Sequence, residues 1–177
     1  MKIQKGKELL FLDNISKTYV YDATDIIMGR LASKVASQLL KSHQSGTNDK
    51  VIIINVENAI ISGGKERIVK DYKARYELNH PRKGPFYPRM PDRIFKRSIR
   101  GMLPYQKKAS GRSALKAVRC EIGCPSHLTG ESLPDNHVVG DLSEVKRALP
   151  ERFMRLGEVS IEMGAPGHRW KKQKGEA

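Results

Sequence analysis

Cysteine is scarce in this sequence, and long apolar segments are missing. The only two cysteines are Cys120 and Cys124, which gives little support for a disulfide framework and fits a reducing compartment. No run approaches the roughly 18 apolar residues needed to span a bilayer. The apolar patch Leu9-Leu10-Phe11-Leu12 is too short for the core of a signal peptide. We therefore expect a cytosolic protein without a membrane partner.

Motifs for catalysis and nucleotide binding are also missing. Gly63-Gly64-Lys65 does not form a phosphate-binding loop, because that motif requires Gly-x4-Gly-Lys-Ser/Thr, and residue 66 is Glu. No Ser/His/acid or Cys/His set falls in a recognisable motif. The sequence therefore predicts a protein that is not an enzyme and has no cofactor and no small-molecule substrate. An RNA-modifying enzyme is the rival class, and it would need a cofactor loop or an acid/base pair.

One segment has spacing that can hold a zinc ion. Its candidate ligands are Cys120, Cys124, His127 and His137. Structural zinc sites usually use two close pairs of Cys or His ligands, which this segment does not supply. We therefore predict no metal site and expect Cys120 to lie in the core, within a strand.

Acidic residues are nearly absent from residues 82–119. This stretch contains twelve Lys or Arg residues and one acid, Asp92, so it carries a net charge of +11 out of +14 for the chain. Soluble surfaces usually mix charges of both signs. A long region of one sign, in a chain with a pI near 9.9, instead favours a polyanionic partner such as a nucleic acid.

The basic residues follow helical spacing. Four of them recur at i, i+3, i+4 and i+7 and so share one helix face: Arg93, Lys96, Arg97 and Arg100. We expect the opposite face to be buried through Phe95, Ile99 and Met102. A second segment repeats the pattern, with cations Arg112, Lys116 and Arg119 opposite Ala114, Leu115 and Val118. The pattern predicts two amphipathic segments that each expose a row of cations.

The rest of the chain alternates between strand and helix patterns, which predicts an α/β fold. We expect strands at 19–23, 51–54 and 118–122, with a second short apolar piece at 59–61, and the apolar run 51–54 predicts a strand covered on both faces. Helices are predicted from Leu31, Val35 and Leu39, with Thr24 and Asp25 as caps, and at 65–76, at 141–149 and around Leu156, Val159 and Met163. The proline-rich segment 79–91 predicts an extended arm with aromatic residues between its cations.

Length and composition predict one domain with extensions. We divide the chain into an N-terminal extension (1–18), an α/β domain (19–165) and a basic C-terminal tail (166–177). The tail contains one aromatic residue, Trp170, and resembles an end that faces solvent or RNA.

Several motifs in a fixed order resemble the large-subunit ribosomal protein L13 family in its archaeal and eukaryotic style. They are Asp22-Ala23-Thr24 before Gly29-Arg30-Leu31-Ala32-Ser33, Asn55-Val56-Glu57-Asn58-Ala59, Gly84-Pro85-Phe86-Tyr87-Pro88-Arg89, Pro91-Asp92-Arg93-Ile94 and Arg100-Gly101-Met102-Leu103-Pro104. The resemblance covers residues 19–125 in register. It implies a small, mostly parallel sheet with helices packed around it.

The resemblance also implies a structural constituent of the large ribosomal subunit, located in the cytoplasm. Its partners would be large-subunit ribosomal RNA and neighbouring ribosomal proteins. The alternative is a translational regulator that binds RNA away from the ribosome, as eukaryotic relatives are reported to do.

We expect cations to neutralise phosphates and Phe86, Tyr87, Tyr105 or Trp170 to stack on exposed bases. The candidate RNA-binding residues are Arg30, Arg82, Lys83, Phe86, Tyr87, Arg89, Arg93, Lys96, Arg97, Arg100, Tyr105, Lys107, Lys108, Arg112 and Lys116.

Overall fold

Strands and helices alternate along much of the chain. The structure, a computed structural model, describes residues 16–128, 134 and 136–171. The strands are β1 (Thr18–Asp22), β2 (Lys50–Ile54), β3 (Ile60–Ser62), β4 (Val118–Cys120), β5 (His137–Val139) and β6 (Phe153–Arg155). The helices are α1 (Met28–Ser45), α2 (Lys65–Glu77), α3 (Pro91–Met102), α4 (Ala109–Lys116), α5 (Leu156–Glu162) and α6 (His168–Lys171). The predicted α/β class is confirmed.

The main sheet has four parallel strands in the order β4-β2-β1-β5. In the two central strands Tyr19 lies beside Val51, and Val51 lies beside Val118 of β4. A second, two-stranded sheet pairs β3 with β6 in antiparallel fashion, with Ile60 beside Arg155. The mostly parallel arrangement confirms the expected fold. None of the helices within the described residues is long and apolar enough to cross a membrane.

Helices cover one face of the main sheet. Tyr21, Ile53 and Val118 point to this face and share a core with the buried residues of α1, α3 and α4. The opposite row of the sheet is less covered, because Ile52 is half-buried and Val139 is 71% exposed. The prediction that the run 51–54 is covered on both faces is therefore only partly right.

Helix α1 packs against the covered face of the main sheet. Leu31, Val35 and Leu39 are all buried, as the spacing predicted, and the helix ends where Gly46 adopts φ 77°, a conformation that glycine tolerates without steric cost. The predicted caps are wrong, because no side chain caps this helix. Thr24 instead donates from its amide and its hydroxyl to Asp22 Oδ1, at 2.9 and 2.7 Å.

Two predictions fail in the C-terminal third. Residues 141–149 contain one turn, at 143–145, and are otherwise irregular, so they form no helix. Asp141 accepts hydrogen bonds from the amide and hydroxyl of Ser143, both at 2.9 Å, which holds the pKa of its carboxyl below the usual value. The expectation that Trp170 faces RNA is also wrong. Its side chain is buried, and a Cβ placed on Gly157 would lie 3.0 Å from Trp170 Nε1, so the two pack closely.

Candidate nucleic-acid interface

Helix α3 fixes the position of the basic stretch. Pro91 occupies its first turn, where the missing N–H costs nothing, and Ile94, Phe95 and Ile99 are fully buried. The prediction that Met102 is buried is wrong, because this side chain is 43% exposed and the next residue, Leu103, enters the core instead. The other side of α3 thus remains available to its cations.

Three of the four predicted cations on α3 remain accessible, and the fourth turns inward. Arg93 is exposed, while Arg97 and Arg100 are partly exposed. Lys96 Nζ instead donates a 2.6 Å hydrogen bond to the carbonyl of Val118 at the start of β4. We call Arg93, Arg97 and Arg100 the α3 basic face.

The arm, residues 79–90, lies beside this face and contains no regular secondary structure, as the prolines predicted. Its first part is exposed, including Arg82, Lys83 and Phe86, whose ring is 62% exposed. Its second part packs onto the body, because the Tyr87 ring meets the Tyr72 ring edge-on at 6.0 Å.

Arg89, near the end of the arm, contacts two other elements. Its guanidinium carbon lies 5.4 Å from the centroid of the Tyr76 ring on α2. Its Nη1 also donates a long hydrogen bond, 3.4 Å, to the carbonyl of Gly164 after α5. The arm is therefore fixed at its C-terminal end and projects at its tip.

A close backbone contact joins α3 to α4. A Cβ on Gly111 would lie 2.6 Å from the carbonyl carbon of Pro104, so only glycine lets the connecting loop lie directly on α4. This contact places Lys107 and Lys108 between the helices, and both are exposed. The exposed cations Arg112 and Lys116 continue the basic region along α4.

These cations are not neutralised within the described part of the chain. The ion pairs found there are Lys34–Glu144, Lys65–Glu162, Arg119–Glu121 and Arg155–Asp25, and none includes a candidate RNA-binding residue. Asp92, the one acid of the stretch, lies in the first turn of α3, where the helix dipole favours a negative charge. Its Oδ1 is buried without a hydrogen-bond partner in the structure. The region therefore presents a net positive charge to solvent.

Arg30 lies apart from the others in sequence but near α3 in the fold. It is in the first turn of α1 and is half-buried. Two residues before it, Met28 Sδ accepts a 3.8 Å hydrogen bond from the Ser98 hydroxyl on α3. The start of α1 therefore meets the middle of α3.

The cysteine and histidine residues of the candidate zinc segment do not converge. Across 16–128, 134 and 136–171, no three His, Cys, Asp or Glu residues form a group able to hold a metal ion. Cys120 lies in β4, and burial raises the pKa of its thiol to about 12, although the nearby Lys96 ammonium opposes this shift. The thiol is therefore protonated at neutral pH.

Comparison with known proteins identifies the family. A family model described as "Ribosomal protein L13" matches residues 16–126, well over half of the chain. The chain belongs to the ribosomal protein L13 family. All fifteen candidate RNA-binding residues of this L13 member lie within the matched region.

Archaeal relatives support the assignment to L13 over most of the chain. The protein named "Large ribosomal subunit protein uL13" from Halobacterium salinarum is 43% identical over 146 residues, covering 82% of this chain and 90% of the relative. Proteins of the same name from Methanosarcina barkeri and Archaeoglobus fulgidus are 38% and 36% identical. They cover 82% and 84% of this chain and 97% and 88% of their own lengths.

Within the L13 fold, one cation beside the basic region was missed by sequence reasoning. Arg75 on α2 is exposed, and its guanidinium carbon lies 5.4 Å from the Tyr72 ring centroid. The i, i+3 spacing of Tyr72 and Arg75 was a usable signal, because such residues are neighbours on a helix. Arg75 was missed because α2 contains both acidic and basic residues and so does not form a region of one charge sign.

Proposed function

We propose that this chain is a structural component of the large ribosomal subunit in the cytoplasm and binds folded large-subunit ribosomal RNA. Membership of the L13 family supports the first part, and its relatives carry the name of large-subunit proteins. The unpaired cations on α3, the arm and α4 support the second part. Neighbouring ribosomal proteins complete the expected set of partners.

The mechanism we propose is charge neutralisation on a rigid frame. The α3 basic face is fixed by a fully buried side containing Phe95 and Ile99, so its cations do not need to be assembled when RNA arrives. Arginine offers a planar set of donors that fits phosphate oxygens in pairs. Binding at several such points holds separate RNA segments in one arrangement, which is the role we propose during assembly.

The observation that carries the proposal is the absence of ion pairs to these cations among the described residues. Exposed cations without an ion pair occur elsewhere in the described residues, but here they are concentrated, with twelve Lys or Arg residues and one acid in residues 82–119, whereas soluble surfaces usually mix charges of both signs. Neutralising phosphates releases bound counterions, so RNA affinity should fall steeply with salt.

Sedimentation of a cell lysate tests the proposal. The protein is expected in the fractions of the large subunit, and it should leave them as salt is raised. Recovery only in the slowly sedimenting fractions, at low salt and with intact subunits, would contradict it. Arg97→Ala provides the molecular test, since it should weaken binding to large-subunit RNA fragments and lower the salt slope by about one unit. Lys41→Ala, on the exposed side of α1, is the matched control and should leave the slope unchanged.

A further inference from the structure

Four arginines in and beside the basic region lie against tyrosine rings. The distances from guanidinium carbon to ring centroid are 5.4 Å for Arg75 and Tyr72, 5.4 Å for Arg89 and Tyr76, 4.7 Å for Arg97 and Tyr87, and 5.1 Å for Arg100 and Tyr105. The edge-on contact of Tyr72 with Tyr87 links the pair on α2 to the pair formed by Arg97 of α3 and Tyr87 of the arm. We call these four contacts the arginine–tyrosine row.

These contacts leave in-plane donors of the four arginines available for a ligand, and the donor already in use is Arg89 Nη1, which makes the long 3.4 Å hydrogen bond to the Gly164 carbonyl. A guanidinium that contacts a ring uses its flat face, while its N–H donors point outward in the plane. Those in-plane donors are the ones that recognise a phosphate in bidentate fashion. In the described part of the chain, none of the four arginines forms an ion pair.

Stacking also restricts the arginine before any ligand is present. A long flexible side chain loses rotamer freedom when it binds, and prior ordering reduces that loss. All four rings are themselves held by the fold: Tyr72 is buried, and Tyr76, Tyr87 and Tyr105 pack against the core. Each ring therefore offers a fixed platform.

We infer that Tyr72, Tyr76, Tyr87 and Tyr105 are positioning residues that hold four arginines ready for RNA phosphates, and that the RNA surface extends through Arg75 onto α2. The inference rests on the proposed function and deepens it by assigning backbone phosphates as the ligand of this row. The tyrosines act through the arginines and do not contact bases.

Burial argues against the rival role of base stacking for these rings. A base needs a free aromatic face, whereas an arginine lies over one face of each ring and packing against the core limits access to the remainder. Tyr72 is only 7% exposed. The adjacent ring with a large exposed surface is Phe86, at 62%. Direct stacking on a base is therefore left to Phe86.

A double-mutant cycle on Arg100 and Tyr105 tests the inference. The probe is a large-subunit ribosomal RNA fragment that the wild-type protein binds, and the measurement is affinity at several salt concentrations. Tyr105→Leu should weaken binding by about 2- to 12-fold, the cost of immobilising one long side chain, without changing the salt slope. Tyr105→Phe keeps the ring and should bind like the wild type. Arg100→Ala should lower the slope by about one unit, and adding Tyr105→Leu to it should have no further effect.

Each other outcome overturns the inference. If Tyr105→Leu lowers RNA affinity equally in the wild-type protein and in the Arg100→Ala variant, the ring itself contacts RNA. Wild-type binding by Tyr105→Leu, with weakened binding by Arg100→Ala, means that stacking does not order the arginine, while the proposed function still stands. An unchanged salt slope for Arg75→Ala removes α2 from the surface.

Two additions keep the test independent of folding. The same cycle on Arg89 and Tyr76 gives a second measurement if Tyr105→Leu lowers the melting temperature, with the same expected and contradicting results. Tyr19→Leu is the matched control, because this half-buried tyrosine on β1 has no arginine over its ring among the described residues. It should leave RNA affinity unchanged.

Discussion

Residues with the same charge and helical spacing have different roles on α3. Arg93 is exposed and has no ion-pair partner in the described chain, whereas Lys96 crosses to β4 and donates to the Val118 carbonyl. A lysine can do this because its aliphatic stem lies along apolar surface while its ammonium reaches a polar partner. Spacing alone therefore overestimates the number of cations that face a ligand.

Substituting these two residues separates folding from binding. Lys96→Met keeps the stem but removes the bond to Val118, so we expect a loss of about 1–3 kcal/mol in the free energy of unfolding and an unchanged salt slope for RNA binding. Arg93→Ala should change stability by less than about 0.5 kcal/mol and lower the slope by about one unit. Urea melts and RNA titrations measure both quantities. If Lys96→Met instead lowers the salt slope without loss of stability, and Arg93→Ala leaves the slope unchanged, then Lys96 is the cation that binds RNA.

Cys120 illustrates how burial controls reactivity. Because burial raises the pKa of its thiol to about 12, the reactive thiolate is rare near pH 8. In a Cys124→Ser background, we expect iodoacetamide to modify the native protein on the order of 10²–10³ times more slowly than the denatured protein. Mass spectrometry of timed samples measures the two rates. Equal rates would mean that β4 opens readily or that the thiol is not buried.

The same shift gives an alkaline limit to stability. Folding raises the pKa of Cys120 from 9.0 to about 12 and that of Tyr72 from 10.0 to about 12, in both cases mainly through burial. Above these unfolded values the unfolded chain loses its protons first. Their contribution to stability is therefore complete below about pH 9 and declines as the pH rises toward 12.

At the scale of elements, the long and periodic segments were predictable. The spacing of Leu31, Val35 and Leu39 identified α1, and the run 51–54 identified β2. Strands β5 and β6 have three residues each and were missed because the sequence around them lacks an alternating pattern such as that of Val118, Cys120 and Ile122 around β4. The segment 141–149 misled for the opposite reason: Leu142 and Val145 have helical spacing, but Asp141 binds Ser143 locally and favours a turn.

Helix α3 offers two side chains that test its placement. Ile99 is fully buried, so Ile99→Ala should lower the free energy of unfolding by about 2–5 kcal/mol. Met102 lies three residues later and is 43% exposed, so Met102→Ala should change it by less than about 0.5 kcal/mol. Denaturant melts of the two variants provide the comparison. Equal losses would mean that the last turn of α3 is covered, as the periodicity alone had suggested.

At the scale of the whole molecule, the candidate site could be predicted as a region but not as a geometry. Composition located the basic stretch, because a single acid cannot balance twelve cations. It gave no information on tertiary contacts, such as Arg97 over Tyr87, the close approach of Gly111 to Pro104, or Arg75 on a separate helix. These features bring together residues of different helices and loops, so they depend on how those elements pack and not on the local spacing of residue types.

The last prediction separates net charge from its placement. Substituting Arg93, Arg97 and Arg100 together by Ala lowers the formal charge from +14 to +11. Substituting the exposed Lys41, Lys50 and Lys146 by Ala gives the same charge, and none of these lysines forms an ion pair within the described residues.

If the arranged cations neutralise phosphates, wild-type affinity for a large-subunit RNA fragment should fall by about three to five orders of magnitude between roughly 50 and 200 mM salt. The salt slope is the slope of log affinity against log salt concentration. The arginine triple variant should lower its magnitude by about two to three units, because each lost phosphate contact lowers it by about 0.7–0.9 units. The lysine triple variant should keep the wild-type slope. Titrations at four or more salt concentrations measure it. If both variants lose the same slope, binding depends on overall charge, and the α3 basic face has no special part in it.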